Sequence, residues 1–143
     1  MANAEALNTV LVAIDRSALS LAEIDFLHLL YLRPDSLVIL AHVMSDPAAT
    51  ADDVDRPHEI SEDQLSTIEE QLENLGDRLP CDYDIAIVPG DPAEELVRLA
   101  KQHRAELIVI GSRGLTGMDR IIKGSVSTQV VEDAPCSVLV IKQ

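Results

Sequence analysis

The chain has 143 residues, 47% of them hydrophobic, and carries a formal net charge of -14 from 25 acidic and 11 basic side chains. A single domain of this length buries about 70% of its unfolded surface, and the apolar content excludes wholesale disorder. The acidity argues against non-specific binding to nucleic acid or an anionic lipid surface, and no apolar run approaches the roughly 20 residues that span a bilayer.

Lysine is confined to Lys101, Lys123 and Lys142. Such acidity occurs both in proteins of salt-loving hosts and in ordinary cytoplasmic ones. The opening MANAEALNTV has neither the basic nor the apolar region of a signal peptide, so a cytoplasmic location is expected. Cys81 and Cys136 are too few for a metal pattern, and His28, His42, His58 and His103 show no ligand spacing.

Taken in order, Thr9–Ile14 (TVLVAI) is a continuous β-branched run, the pattern of a strand covered on both faces. It ends in Asp15-Arg16-Ser17, and Ser20 with Glu23 forms a capping box. The helix that follows is expected to reach about Leu32, burying Leu21, Ile24, Phe26, Leu27, Leu30 and Tyr31 until Pro34-Asp35 breaks it. Ser36–Val43 reads as a second apolar strand, and Ser45–Glu59 as a polar, irregular insertion, either a connector or a lid.

Ser61–Leu79 is the clearest helix, with Ser61 and Gln64 as capping box and Leu65, Ile68, Leu72, Leu75 and Leu79 on one stripe. Tyr83–Val88 alternates apolar and polar residues, as a strand near a sheet edge does. Gly90-Asp91-Pro92 supplies a turn, an N-cap and a proline for the first turn of a helix over residues 92–103. Leu107–Ile110 is a fourth strand, a helix runs from about Ser125 to Glu132, and Ser137–Ile141 is a fifth strand. Strands alternating with helices give a three-layer α/β/α sandwich: one five-stranded parallel sheet with helices on both faces, a single domain over residues 1–143.

Between the fourth strand and the last helix lies GSRGLTGMDRIIKGSVS, residues 111–127. Its Arg113, Arg120 and Lys123 face Asp119 alone, a basic island in an acidic chain. Glycines admit close backbone approach, and a Gly-Ser pair opening a helix offers free N–H groups and a hydroxyl to phosphate. Asp15, Val43 and Gly111 end three parallel strands on one edge, where such sheets bind ligands. Asp15 suits a ribose hydroxyl, an adenine-side donor or a phosphate-bound metal, or else caps a helix. Arg113 is a candidate phosphate clamp, Val43 a candidate wall for the base, and Ser127 a further donor. There is no GxxxxGK[ST] loop, no GxGxxG after the first strand, no GxSxG and no HExxH. Nothing in the sequence marks an efficient catalyst.

These residues make the chain resemble the universal stress protein family over nearly its whole length. The likeness runs through VLVAIDRS, ILAHV, VPGDPAEELVRLAKQHRAELIVIGSRG, GSVSTQVV and APCSVLVIK. The family's ATP-binding pattern, G-x2-G-x9-G-[ST], is met by Gly111, Gly114, Gly124 and Ser125. Where the family often has Asp-Gly-Ser after the first strand, Arg16 stands at the glycine position and adds charge near the site.

The resemblance implies a Rossmann-like, adenine nucleotide alpha hydrolase-like sheet of order 3-2-1-4-5. It also implies nucleotide contacts at Ala13, Ile14, Asp15, Val43, Ile110, Gly111, Arg113, Gly114, Gly124, Ser125, Val126 and Ser127. The ligand is ATP, or AMP or another adenine nucleotide, with Mg2+ carried by its phosphates and no metal cage of protein ligands. The expected partners are a twin chain, paired through Ser137–Ile141, and an unidentified regulatory protein. Three functions follow: a nucleotide-dependent regulatory module in stress response; a slow ATPase or self-phosphorylating protein using Ser112, Thr116, Ser125 or Ser127 as acceptor; or a dimeric adaptor independent of nucleotide.

Overall fold

The computed structural model describes residues 7–14, 20–30, 32–44, 61–111 and 125–141. Five strands, β1 (Leu7–Ala13), β2 (Leu32–Met44), β3 (Asp82–Pro89), β4 (Leu107–Gly111) and β5 (Ser137–Ile141), form one sheet in the order β3-β2-β1-β4-β5. Every neighbouring pair is parallel. The helices are α1 (Ser20–Leu27), α2 (Glu62–Gly76), α3 (Pro92–His103) and α4 (Ser125–Asp133). The expected architecture and strand order are those observed.

Strand β1 is central, and its unbroken apolar run has a direct structural cause. Val10, Val12 and Ile14 enter one core with Ile24 and Leu27 of α1 and Ile68 and Leu72 of α2. Leu11 and Ala13 enter a second core with Leu96, Leu99 and Ala100 of α3 and Val130 of α4. Side chains alternate across a strand, so a strand with helices over both faces needs an apolar residue at every position. The outer strand β3 follows the other rule: Asp82 and Asp84 are exposed while Tyr83 and Ile85 are half-buried.

Local signals fix both long helices. The Ser61 hydroxyl accepts the Gln64 N–H at 3.2 Å and starts α2. The Asp91 carboxylate accepts the Glu94 N–H at 3.0 Å and starts α3, with Pro92 in its first turn. Helix α2 ends at Gly76, before the expected Leu79, and the chain tightens into turns in which the Arg78 and Leu79 N–H groups donate to the Leu75 and Gly76 carbonyls at 3.2 and 2.9 Å. A Cβ at Gly76 would collide with the ring of Tyr83, whose hydroxyl donates to the Asp77 carboxylate at 3.1 Å. Gly76→Ala should therefore lower unfolding stability by about 1–3 kcal/mol as the ring is displaced. A denaturation midpoint equal to that of the parent chain would contradict this packing.

Two further boundaries differ from expectation by several residues. Helix α1 ends at Leu27 rather than near Leu32, and β2 begins at Leu32 rather than Ser36. Leu32 pairs with Leu7, whereas Leu37 pairs with Thr9, so β2 carries extra residues there as a bulge. Ser36 stabilises the bulge: its hydroxyl donates to the Leu7 carbonyl at 2.6 Å and accepts the Arg33 N–H at 2.9 Å. Pro34 stands at a strand position because no residue of β1 lies in register with it there. The insertion 45–59 and Tyr31 lie outside the described residues.

Candidate functional site

In a parallel sheet all strands end on one edge, and here that edge gathers the ends of β1, β2 and β4. Val12 pairs with Val109, so Ala13 and Ile110 follow on adjacent strands. Ala13 pairs with Ala41, which places Val43 two residues further along β2 on the same face. Ala13, Val43 and Ile110 are buried in one cluster, and Val126 from the first turn of α4 packs against it. Four of the expected contact residues thus form one apolar wall. Its parts are 113 residues apart in sequence from Ala13 to Val126.

Gly111 closes β4 in register with Ile141. Ile14 reaches the same edge, but its side chain enters the opposite core; only its backbone faces the shared end, with its N–H donating to the Ala41 carbonyl at 2.7 Å. Ser125 is the first residue of α4, and Ser127 lies in its first turn, partly buried. Asp15, Arg113, Gly114 and Gly124 lie outside the described residues, as do Ser112 and Thr116.

The start of α4 differs electrostatically from those of its neighbours. Helix α2 carries Glu62 and Asp63 in its first turn, and α3 carries Glu94 and Glu95. Helix α4 carries no acidic residue there. The residue before it is glycine, which has no side-chain oxygen to accept the first N–H groups as Ser61 and Asp91 do. The positive end of the α4 dipole and its leading N–H groups are therefore uncompensated by an acidic side chain of the helix itself. An anion is the natural complement. Beside it stands the apolar wall, whose Ala13, Val43 and Ile110 are buried, so an apolar cluster and a helix end with no acidic residue in its first turn lie together at this edge.

Among the described residues no three His, Cys, Asp or Glu side chains come together as a metal site, and no helix is long and apolar enough to cross a membrane. Cys81 and Cys136 are free and half-buried. Burial pushes both thiols up from their ordinary value, and the Asp82 carboxylate adds to the shift at Cys81. A thiol whose folded pKa is raised contributes stability below the ordinary thiol range and loses it as pH rises through the raised value. Near neutral pH both cysteines should thus alkylate more slowly in the folded chain than in urea; equal rates would contradict their burial.

One buried polar residue beside this edge escaped the sequence pattern. His42 is 9% exposed, next to Val43, and its Nδ1 lies 2.9 Å from the Ile14 carbonyl. The available signal was a lone histidine inside the apolar run LVILAHV, since a buried polar ring requires a partner.

Known proteins share this fold. The model of the universal stress protein family matches residues 7–142. The universal stress protein MJ0531 of Methanocaldococcus jannaschii is 35% identical over 85 residues, 59% of this chain and 48% of that protein. The chain thus matches about half the length of that relative, whereas YxiE of Bacillus subtilis is 29% identical over 94% of this chain and 99% of its own. Among solved structures, MJ0577 of M. jannaschii superposes with a TM-score of 0.78 at 24% identity, covering 96% of both chains. A universal stress protein in complex with cAMP gives 0.67 at 23% identity, over 96% of this chain and 98% of that one. An Arabidopsis thaliana member with AMP bound gives 0.65 at 24% identity, over 95% and 92%.

Proposed function

The chain belongs to the universal stress protein family, and on that premise we propose that it is an ATP-binding member, a regulatory module in stress response whose partner interactions change with nucleotide state. The observation that carries this reading is the convergence at one sheet edge. Ala13, Val43, Ile110 and Val126 make an apolar wall, Gly111 ends the adjacent strand, and α4 begins there without an acidic residue in its first turn.

Each part fits one part of an adenine nucleotide. The wall accepts the base by apolar contact. Gly111, Gly114, Gly124 and Ser125 stand at the spacing of the family's phosphate-holding pattern, and the α4 N-terminus supplies N–H donors and a favourable dipole. Asp15, next after Ile14, is assigned to the ribose hydroxyls and Arg113 to the phosphates. Mg2+ would arrive with the phosphates, which bind it with few protein ligands. The AMP and cAMP complexes of two structural neighbours support the adenine class of ligand.

The same reading makes the chain a homodimer through β5. That strand ends the sheet with Val138, Leu139 and Val140 partly buried and no charged residue from Ser137 to Ile141, whereas the other end strand carries Asp82 and Asp84. An unprotected apolar edge favours pairing with a second strand. The cytoplasm is the compartment assigned.

Calorimetric titration of the purified chain with ATP and Mg2+ tests the proposal. Saturable binding with a micromolar dissociation constant is expected, without ADP accumulating in proportion to protein. Linear ADP production would shift the assignment to a slow ATPase, and labelling of the protein from γ-labelled ATP to self-phosphorylation. No heat with ATP, AMP or cAMP would leave a dimeric adaptor and refute nucleotide binding.

A further inference from the structure

We infer that His42 is a positioning residue for the nucleotide crevice, a clamp that joins the exit of β1 to the exit of β2; the inference rests on the nucleotide reading above. His42 is one of two polar residues buried among the described ones, the other being Ser36 in the bulge at the opposite end of β2. Its strand neighbours Ala41 and Val43 point into the core beneath α3 and α4. His42 therefore points to the other face, where its register partner Ile87 packs with Val38, Leu40 and Ile14.

There Nδ1 meets the Ile14 carbonyl at 2.9 Å. A carbonyl only accepts, so Nδ1 carries the hydrogen and donates it. The Ile14 N–H already donates to the Ala41 carbonyl at 2.7 Å. Ile14 lies one residue beyond the last ladder pair of β1, Ala13 with Ala41, and its N–H makes the terminal bond of that ladder, which leaves its carbonyl to be satisfied. Ile14 is thus held by two bonds to consecutive residues of β2, the ladder bond from its N–H to Ala41 and the side-chain bond from His42 to its carbonyl.

The consequence for the site is direct. Ala13 and Val43 line the apolar wall, and each is covalently adjacent to one end of the clamp: Ala13 to Ile14, Val43 to His42. With the bond in place, the spacing of the two wall residues is set before ligand arrives, so binding need not order them. Without it, the β1 exit keeps a single backbone bond and a buried carbonyl without its donor.

The test separates positioning from packing through two substitutions. In His42→Asn the amide nitrogen occupies about the place of Nδ1 and keeps the donor, but loses ring volume. In His42→Leu the apolar volume is kept closer to that of the ring, and the donor is lost. ATP titration, thermal melting and hydrogen exchange at the Ile14 amide would be measured for both variants and the parent chain. Expected are an affinity about tenfold weaker and a faster Ile14 exchange for His42→Leu, with His42→Asn within about threefold of the parent on both, even where its melting temperature is the lower. Affinity that follows melting temperature across the variants, or equal affinity in all three, would overturn the positioning role. A parent chain silent to ATP would refute the nucleotide reading instead. In that case the Ile14 exchange rates still judge the clamp: equal rates in the parent and His42→Leu reject it.

Discussion

Leu11→Ala should destabilise the chain by about 2–5 kcal/mol, and lower its melting temperature by roughly 10 °C. Leu11 is fully buried at the middle of the central strand. It pairs with Ile39 on one side and Ile108 on the other, and all three belong to the core beneath α3 and α4. Few surroundings collapse less readily than a sheet interior whose neighbours are held by two ladders of hydrogen bonds, so the deleted methyl groups leave most of their volume as a cavity. The matching control is Leu29→Ala, at 77% exposure, which should change stability by under about 0.5 kcal/mol. Urea denaturation of both variants checks the pair. Similar midpoints for the two would contradict the placement of the core.

The second large effect concerns ligand. Gly124→Asp should weaken ATP binding by about a hundredfold or more while leaving the free energy of unfolding within about 1 kcal/mol of the parent. The residue directly precedes α4, and a carboxylate there places like charge against the phosphates, a repulsion worth several kcal/mol. It would also compete for the helix N–H groups as an N-cap. That second effect is stabilising for the helix, so loss of binding without loss of stability is the specific signature. Unchanged affinity would show that the α4 N-terminus does not meet the phosphates.

How legible this fold was in the sequence follows from the range of the interactions involved. Strand β1 was readable because burial on both faces leaves an unbroken apolar run. The starts of α2 and α3 were readable because Ser61 and Asp91 act on N–H groups three residues away. Strand β3 revealed its place near the edge through the alternation of apolar and polar residues over Tyr83–Val88.

What failed was set by distant partners. Pro34 reads as a break, yet it stands in β2 because Ser36 bonds Leu7, 29 residues away, and absorbs the bulge. The leucine stripe of α2 continues to Leu79, which packs on the same core as Leu72 although the helix ends at Gly76. The site divides in the same way. Strand ends and glycine spacing mark Val43, Ile110 and Gly111 locally. The bond from His42 to Ile14 spans 28 residues and exists only once β1 and β2 are paired. Ile14, expected among the contact residues, turns its side chain into the other core by alternation along β1 and presents only its backbone to the edge.

The central claim, that the shared edge of β1, β2 and β4 holds an adenine nucleotide, is tested most directly by mass spectrometry of the small molecules released when the purified chain is denatured. The account predicts ATP, or another adenine nucleotide, in near-stoichiometric amount from the parent chain and none from Gly124→Asp. A parent chain that releases no nucleotide, and takes up none after incubation with ATP and Mg2+, would contradict it.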